Sequence, residues 1–154
     1  MPHHLSIVLI EPKIPSNTGS IGRLCLATGS ILHLVEPLGF EINDTQLRRA
    51  GLDYWKHLRV IRHKNVDIFF GALPEKAPLV FFSAKAQTSI FDHRFREGSY
   101  LIFGSETEGV AQDMLGKFRE QTYRIPQYDN RVRSLNLANA ASIVLYEAIR
   151  QLGP

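Results

Sequence analysis

Hydrophobic positions along this chain follow two alternating patterns. Apolar runs at residues 5–10 (LSIVLI), 79–82 (LVFF) and 100–103 (YLIF) predict buried strands, and residues 31–35 (ILHLV), closed by Pro37 and Gly39, predict another. Residues 58–61 and 122–125 predict two further strands. Between the strands, apolar residues recur at helical spacing. Ile21, Leu24, Cys25 and Thr28 form the inward face of a first helix, with Ser20 and Arg23 on another face. Asn17 is its expected cap and Gly29 its left-handed stop, while Pro12 and Pro15 hold the preceding connection out of helix. Residues 45–50 predict a short basic helix capped by Asp44 and followed by Gly51, and residues 66–73 and 111–118 predict two more helices. Strands alternating with helices predict an α/β fold, a mainly parallel sheet flanked by helices, joined by right-handed crossovers. With 154 residues and no internal repeat or long linker, one domain spanning 1–154 is expected.

The last segment carries more polar chemistry than packing needs. After the strand at 122–125 come Pro126 and a polar loop, and then Asn136 as the expected cap of a long helix. Leu137, Ala141, Val144, Leu145, Ala148 and Leu152 make one apolar stripe on that helix. Asn139, Ser142, Tyr146 and Arg150 share a different face, which suits either the wall of a site or a solvated back.

Composition narrows the class. Hydrophobic residues at 44% and charged residues at 21% are those of a folded, globular chain. No apolar run reaches the roughly 20 residues of a membrane span, and the first residues lack the features of a signal peptide. Cys25 is the only cysteine, so an internal disulfide is impossible and a cytoplasmic location is expected. A net charge of +3 permits a polyanionic partner. Between residues 44 and 64, Arg48, Arg49, Lys56, Arg59, Arg62 and Lys64 outnumber Asp44 and Asp53, and Arg124, Arg131 and Arg133 form a second basic group.

In open α/β sheets ligands bind beyond the carboxyl ends of the strands. Three such ends carry polar, glycine- or asparagine-bearing loops: residues 11–19, 104–109 and 126–136. Gly104 would let a ligand approach the backbone closely, and an ordinary strand-to-helix turn explains it about as well. Several familiar sites are missing. There is no G-x-G-x-x-G, no Walker motif, and Ser105 is not in a G-x-S-x-G elbow. The six histidines form no H-E-x-x-H pair and Cys25 has no partner, so no metal site is expected, and His33 reads as a core or surface histidine. The residues alone lead to an α/β domain with three polar loops and an unidentified ligand.

Three segments, in order, resemble the motifs of the SPOUT RNA ribose methyltransferases: residues 12–25 (PKIPSNTGSIGRLC), 101–109 (LIFGSETEG), and 124–126 (RIP) through 134–140 (SLNLANA). The short chain and Arg48-Arg49-Ala50-Gly51-Leu52-Asp53-Tyr54 are most similar to the TrmL branch, which methylates the ribose 2′-hydroxyl of the wobble cytidine or uridine in tRNA. The resemblance implies a C-terminal trefoil knot, a homodimer completed by the first and last helices, and S-adenosylmethionine as methyl donor without a metal. It expects leucine isoacceptors as substrates. It assigns Arg23 as the catalytic arginine, with Asn17 orienting it or the ribose. It places Phe82, Gly104, Glu106, Ile125, Ser134 and Asn136 at the cofactor, with Glu106 and Asn136 also tying the loops together. Phe82 stands where a smaller aliphatic residue is common, and Ser105 where proline is frequent. Arg48, Arg49, Lys56 and Arg133 are candidates for the tRNA backbone, and Tyr146 for the RNA or the second subunit. A catalytically silent RNA-binding protein and a 2′-O-methyltransferase for ribosomal RNA or another tRNA position are the alternatives.

Overall fold

The first strand, β1 (Ser6–Ile10), is buried at all five positions and is an interior strand of the sheet. A computed structural model describes residues 3–43 and 45–153; Asp44, with its predicted cap, and the side chains of Arg48 and residues 50–53 lie outside what it describes. The remaining elements are α1 (Pro15–Thr28), β2 (Ile31–Val35), α2 (Thr45–Gly51), β3 (Val60–His63), α3 (Val66–Gly71), β4 (Leu79–Phe82), β5 (Thr88–Ser89), β6 (Tyr100–Phe103), α4 (Gln112–Lys117), β7 (Thr122–Arg124) and α5 (Leu137–Leu152). The seven strands form one sheet in the order β3-β2-β1-β6-β4-β7-β5, and every pairing is parallel.

Because successive strand residues point to opposite faces, the continuous apolar runs supply two cores at once. Ile7, Leu9, Leu32, Leu34, Leu101 and Phe103 face the layer holding α1 and α5, where Ile21, Cys25, Ala141, Val144, Leu145 and Ala148 meet them. Val8, Ile10, Val35, Phe81 and Ile102 face the other layer, with Phe69 of α3 and Val110. The stripe expected on α5 is therefore the face that packs. Cys25 sits inside this core, where burial pushes its thiol up to about 12.

Several expected boundaries move for identifiable reasons. The third strand begins at Val60 because Leu58 closes a turn, its N–H donating to the Trp55 carbonyl (3.1 Å). A 3-10 segment, Leu52–His57, follows α2 directly, so Gly51 ends the helix without stopping the winding of the chain. The helix expected to 73 ends at Gly71, and its cap is Asn65, which accepts from the Ile68 N–H at 2.8 Å. Asn17 is not the cap of α1. Pro15 opens that helix, where its missing N–H costs nothing, and Ile14 occupies the cap position without a side-chain hydrogen bond. Gly29 and Asn136 behave as the sequence predicts: Gly29 ends α1 at φ 71, and Asn136 accepts from the Asn139 N–H at 3.1 Å.

Candidate active site

The chain runs from β1 to β2 and β3 on one side while the later strands lie on the other, so the order switches between β1 and β6, the kind of place at which open α/β sheets bind ligands. The loops that follow those strands are held together by one acidic side chain. Glu106 accepts from the Lys13 N–H through Oε1 and from the Ile14 N–H through Oε2, both at 2.8 Å. It thus satisfies donors that no local side chain reaches at the start of α1. Asn17 Nδ2 donates to Glu106 Oε2 at 3.4 Å, and Asn17 Oδ1 accepts from Asn136 Nδ2 at 3.1 Å. Asn136 passes the relay on to the first turn of α5. All three polar loops are thereby joined through one run of side chains.

Next to this relay is a cavity of about 570 Å³, within the range of small-molecule sites. Phe82 and Phe103, stacked with ring centroids 4.8 Å apart, and Ile125 give it an apolar wall. Gly104, Glu106, Ser134, Asn136 and Asn17 line it as well, so the structure brings together all six residues expected at the cofactor and one of the two expected in catalysis. Arg133 reaches its rim, donating to the Thr107 carbonyl at 3.4 Å.

The turn of the backbone is by itself enough to require glycine at position 104. A Cβ there would collide with the backbone of Gly109 and Val110. The loop folds back on itself: the Gly109 N–H donates to the Ser105 carbonyl (2.9 Å), the Glu108 N–H donates to Ser105 Oγ (3.1 Å), and Gly109 takes a φ of 67. The close approach at Gly104 is that of the returning chain. The loop after β4 is a wall the sequence reading left out, contributing Ser83, Ala84 and Lys85. Its position at the carboxyl end of the LVFF strand was the available signal.

The other assigned residues lie apart from the cavity. Arg23 is on the exposed face of α1, with its guanidinium 5.5 Å from the ring centre of Tyr54. Arg49 and Lys56 are exposed, while the Arg48 side chain is outside the described residues. Tyr146 is half exposed on α5. Ser142 turns its hydroxyl back to the Ala138 carbonyl (2.8 Å), and Arg150 pairs with Glu147, which holds that carboxyl below its usual range. The polar face of α5 is therefore partly self-satisfied. Arg124 donates to the carbonyls of Ala86 and Gln87 (3.3 and 2.6 Å), bracing the edge of the sheet. Among the described residues no group of three acidic, histidine or cysteine side chains could hold a metal ion, and no helix is long and apolar enough to cross a membrane.

Residues 4–146 match the SpoU rRNA Methylase family. The chain is 47% identical over 151 residues to the tRNA (cytidine(34)-2'-O)-methyltransferase of Saccharophagus degradans, the match covering 96% of each. It is 45% identical to a solved structure presented as structural insights into the 2-OH methylation of C/U34 on tRNA, with a TM-score of 0.94 over 99% of this chain and 98% of that one. It is also similar to the SpoU methyltransferase AviRb from Streptomyces viridochromogenes in complex with the cofactor AdoMet: 27% identity, TM-score 0.82, 99% of this chain and 59% of that one.

Proposed function

Because the chain belongs to the SpoU rRNA methylase family, we propose that it is an S-adenosylmethionine-dependent methyltransferase acting on the ribose 2′-hydroxyl of the cytidine or uridine at position 34 of tRNA. The observation that carries this reading is the Glu106–Asn17–Asn136 relay, which assembles the three motif-bearing loops around one cavity. The choice of tRNA over ribosomal RNA is supported by the relatives that match along the whole chain.

The cavity fits the cofactor on its own chemistry. Phe82, Phe103 and Ile125 offer a face for an adenine ring, while the Gly104 loop, Ser134 and the backbone near Asn136 offer polar partners for ribose and amino-acid groups. The bound cofactor supplies a methyl group activated on a sulfonium. The chain must align the 2′-hydroxyl with it and let the proton leave as the new O–C bond forms; alignment alone can lower such a barrier by about 7–11 kcal/mol. An arginine, with a pKa above about 12, is a poor base, so Arg23 acts by holding a phosphate or the ribose.

Arg23 stands off the cavity wall on exposed α1, beside α5, which exposes Ile143 and Tyr146. This placement supports a homodimer in which the guanidinium of a second copy completes the site, with Tyr146 at the seam. Arg49, Lys56 and Arg133, all exposed, with Arg48, take the tRNA backbone. The trefoil knot belongs to the same reading; it is supported by β7 inserting beside β4 while α5 returns to pack on β6 and α1. A tRNA substrate places the work in the cytoplasm.

Incubation with methyl-labelled S-adenosylmethionine and total tRNA, followed by mapping of ribose methylation, tests the function. Label at position 34 is expected from the wild type. Arg23→Ala is expected to keep cofactor affinity while turnover falls by about 100-fold or more. Stoichiometric cofactor binding by the wild type with no methylated RNA would replace this reading with a silent RNA-binding protein.

A further inference from the structure

Beside the cofactor cavity lies a second hollow, between the loop after β4 and the loop after β7. Ala84, Ile125, Gln127 and Arg133 line both, so the two share a wall. On the rim of the second hollow Tyr128 is 93% exposed, the largest value among the exposed large hydrophobic residues, and Val132, four residues on, lines the same hollow at 53%. A lone exposed aromatic is ordinary. This one is carried on a turn that is closed immediately after it: Asp129 Oδ1 accepts from the Arg131 N–H (2.9 Å), and the Asp129 carbonyl accepts from the Val132 N–H (3.4 Å). Arg131 also pairs with the Asp129 side chain, so the charge of the acidic group lining this hollow is offset by its partner. Arg133 donates to the neutral Thr107 carbonyl, which leaves its charge available to an anion.

Resting on the function proposed above, we infer that this hollow is a nucleobase subsite. Tyr128 stacks on an unpaired base next to the methylated nucleotide, and Arg133 holds the intervening phosphate. A phenol ring with both faces in solvent is a stacking platform that accepts any base, because every base has a π-face. Bases of a single-stranded loop can be splayed out to reach it, whereas those of a duplex cannot. The wall shared with the methyl-donor cavity puts the two sites side by side, the arrangement that neighbouring nucleotides need. Val132 supplies apolar contact under the base, and the Arg131 partner of Asp129 offsets that carboxylate's repulsion of the phosphates.

The test is binding and turnover with a labelled RNA anticodon stem–loop and with versions made abasic on either side of position 34. Tyr128→Ala is expected to weaken RNA binding and raise KM about 10-fold or more, with cofactor affinity unchanged. Tyr128→Phe is expected to retain wild-type values. On the version abasic at the stacked position, wild type and Tyr128→Ala are expected to be equal. Equal RNA affinity of wild type and Tyr128→Ala on the intact loop overturns the subsite. So does a loss of cofactor affinity in Tyr128→Ala without RNA, which would make the residue part of the cofactor site. Wild-type protein that binds the stem–loop through Tyr128 but transfers no methyl would sink the proposed function while leaving the subsite standing.

Discussion

Both carboxylate oxygens of Glu106 are engaged at the start of α1, and the same carboxylate takes the Asn17 amide. Removing it frees three donors at a partly solvated place, so water replaces some of what is lost, and the cost should resemble that of a missing helix cap. Glu106→Ala is expected to lower stability by about 1–2 kcal/mol and weaken cofactor binding, with Glu106→Gln intermediate because it keeps one acceptor. Urea unfolding and calorimetric titration with S-adenosylhomocysteine would check both; unchanged stability would mean that the loops hold together without the relay. Asn17 shows why this was only half legible. An asparagine just before an apolar helical run is a good local cap signal, and nothing local says that Pro15 already starts the helix. The group that does the capping comes from 92 residues further along the chain. The role of Glu106 in tying loops together came from the resemblance, and so did its partners in the other motifs.

At the scale of elements, α1 is held from outside by the 3-10 segment Leu52–His57 through a side chain that is missing. A Cβ at Gly22 would lie 2.5 Å from the Trp55 ring and 2.9 Å from Leu58. Gly22 thus gives the indole a flat bed on the helix, one residue from Arg23, whose guanidinium sits over Tyr54 of the same segment. Gly22→Ala gains about 1 kcal/mol of helix propensity but forces the ring away, which typically costs about 1–3 kcal/mol. A net loss of stability is expected, with a red shift in the emission of Trp55, the only tryptophan. An unshifted emission and a raised melting temperature would mean that the indole has room to slide. The strands were legible because buried parallel strands need long apolar runs. β5, two residues long, has no run to read, and the 3-10 segment has no period. Contacts such as Gly22 against Trp55 join residues whose proximity only the folded chain creates.

For the whole molecule, the sheet's two apolar layers make any titratable group inside them a handle on global stability. His33 of β2 and His63 of β3 are buried side by side, with His33 Nδ1 3.0 Å from His63 Nε2 and the rings stacked at 5.3 Å, against Phe69 and Tyr100. One ring must donate and the other accept, so the pair is held together only while at least one imidazole is neutral. Burial first, then the charges of His63 and Arg59, lower the His33 pKa from 6.5 to about 4, and burial lowers that of His63 as well. Between pH 6.5 and 4 the unfolded chain therefore binds more protons at these sites than the folded one, and stability must fall as pH falls through that window. Each histidine contributes a slope of at most about 1.4 kcal/mol per pH unit. Glu147, whose carboxyl is lowered by its Arg150 partner, adds a loss that sets in as the pH falls through the ordinary glutamate range near 4.5. Urea midpoints measured across the window should decline with acidity in the wild type. His33→Phe, which keeps an aromatic ring among Phe69 and Tyr100, should decline less steeply. An identical slope in both would show that His33 takes up its proton in the folded sheet as readily as in the unfolded chain.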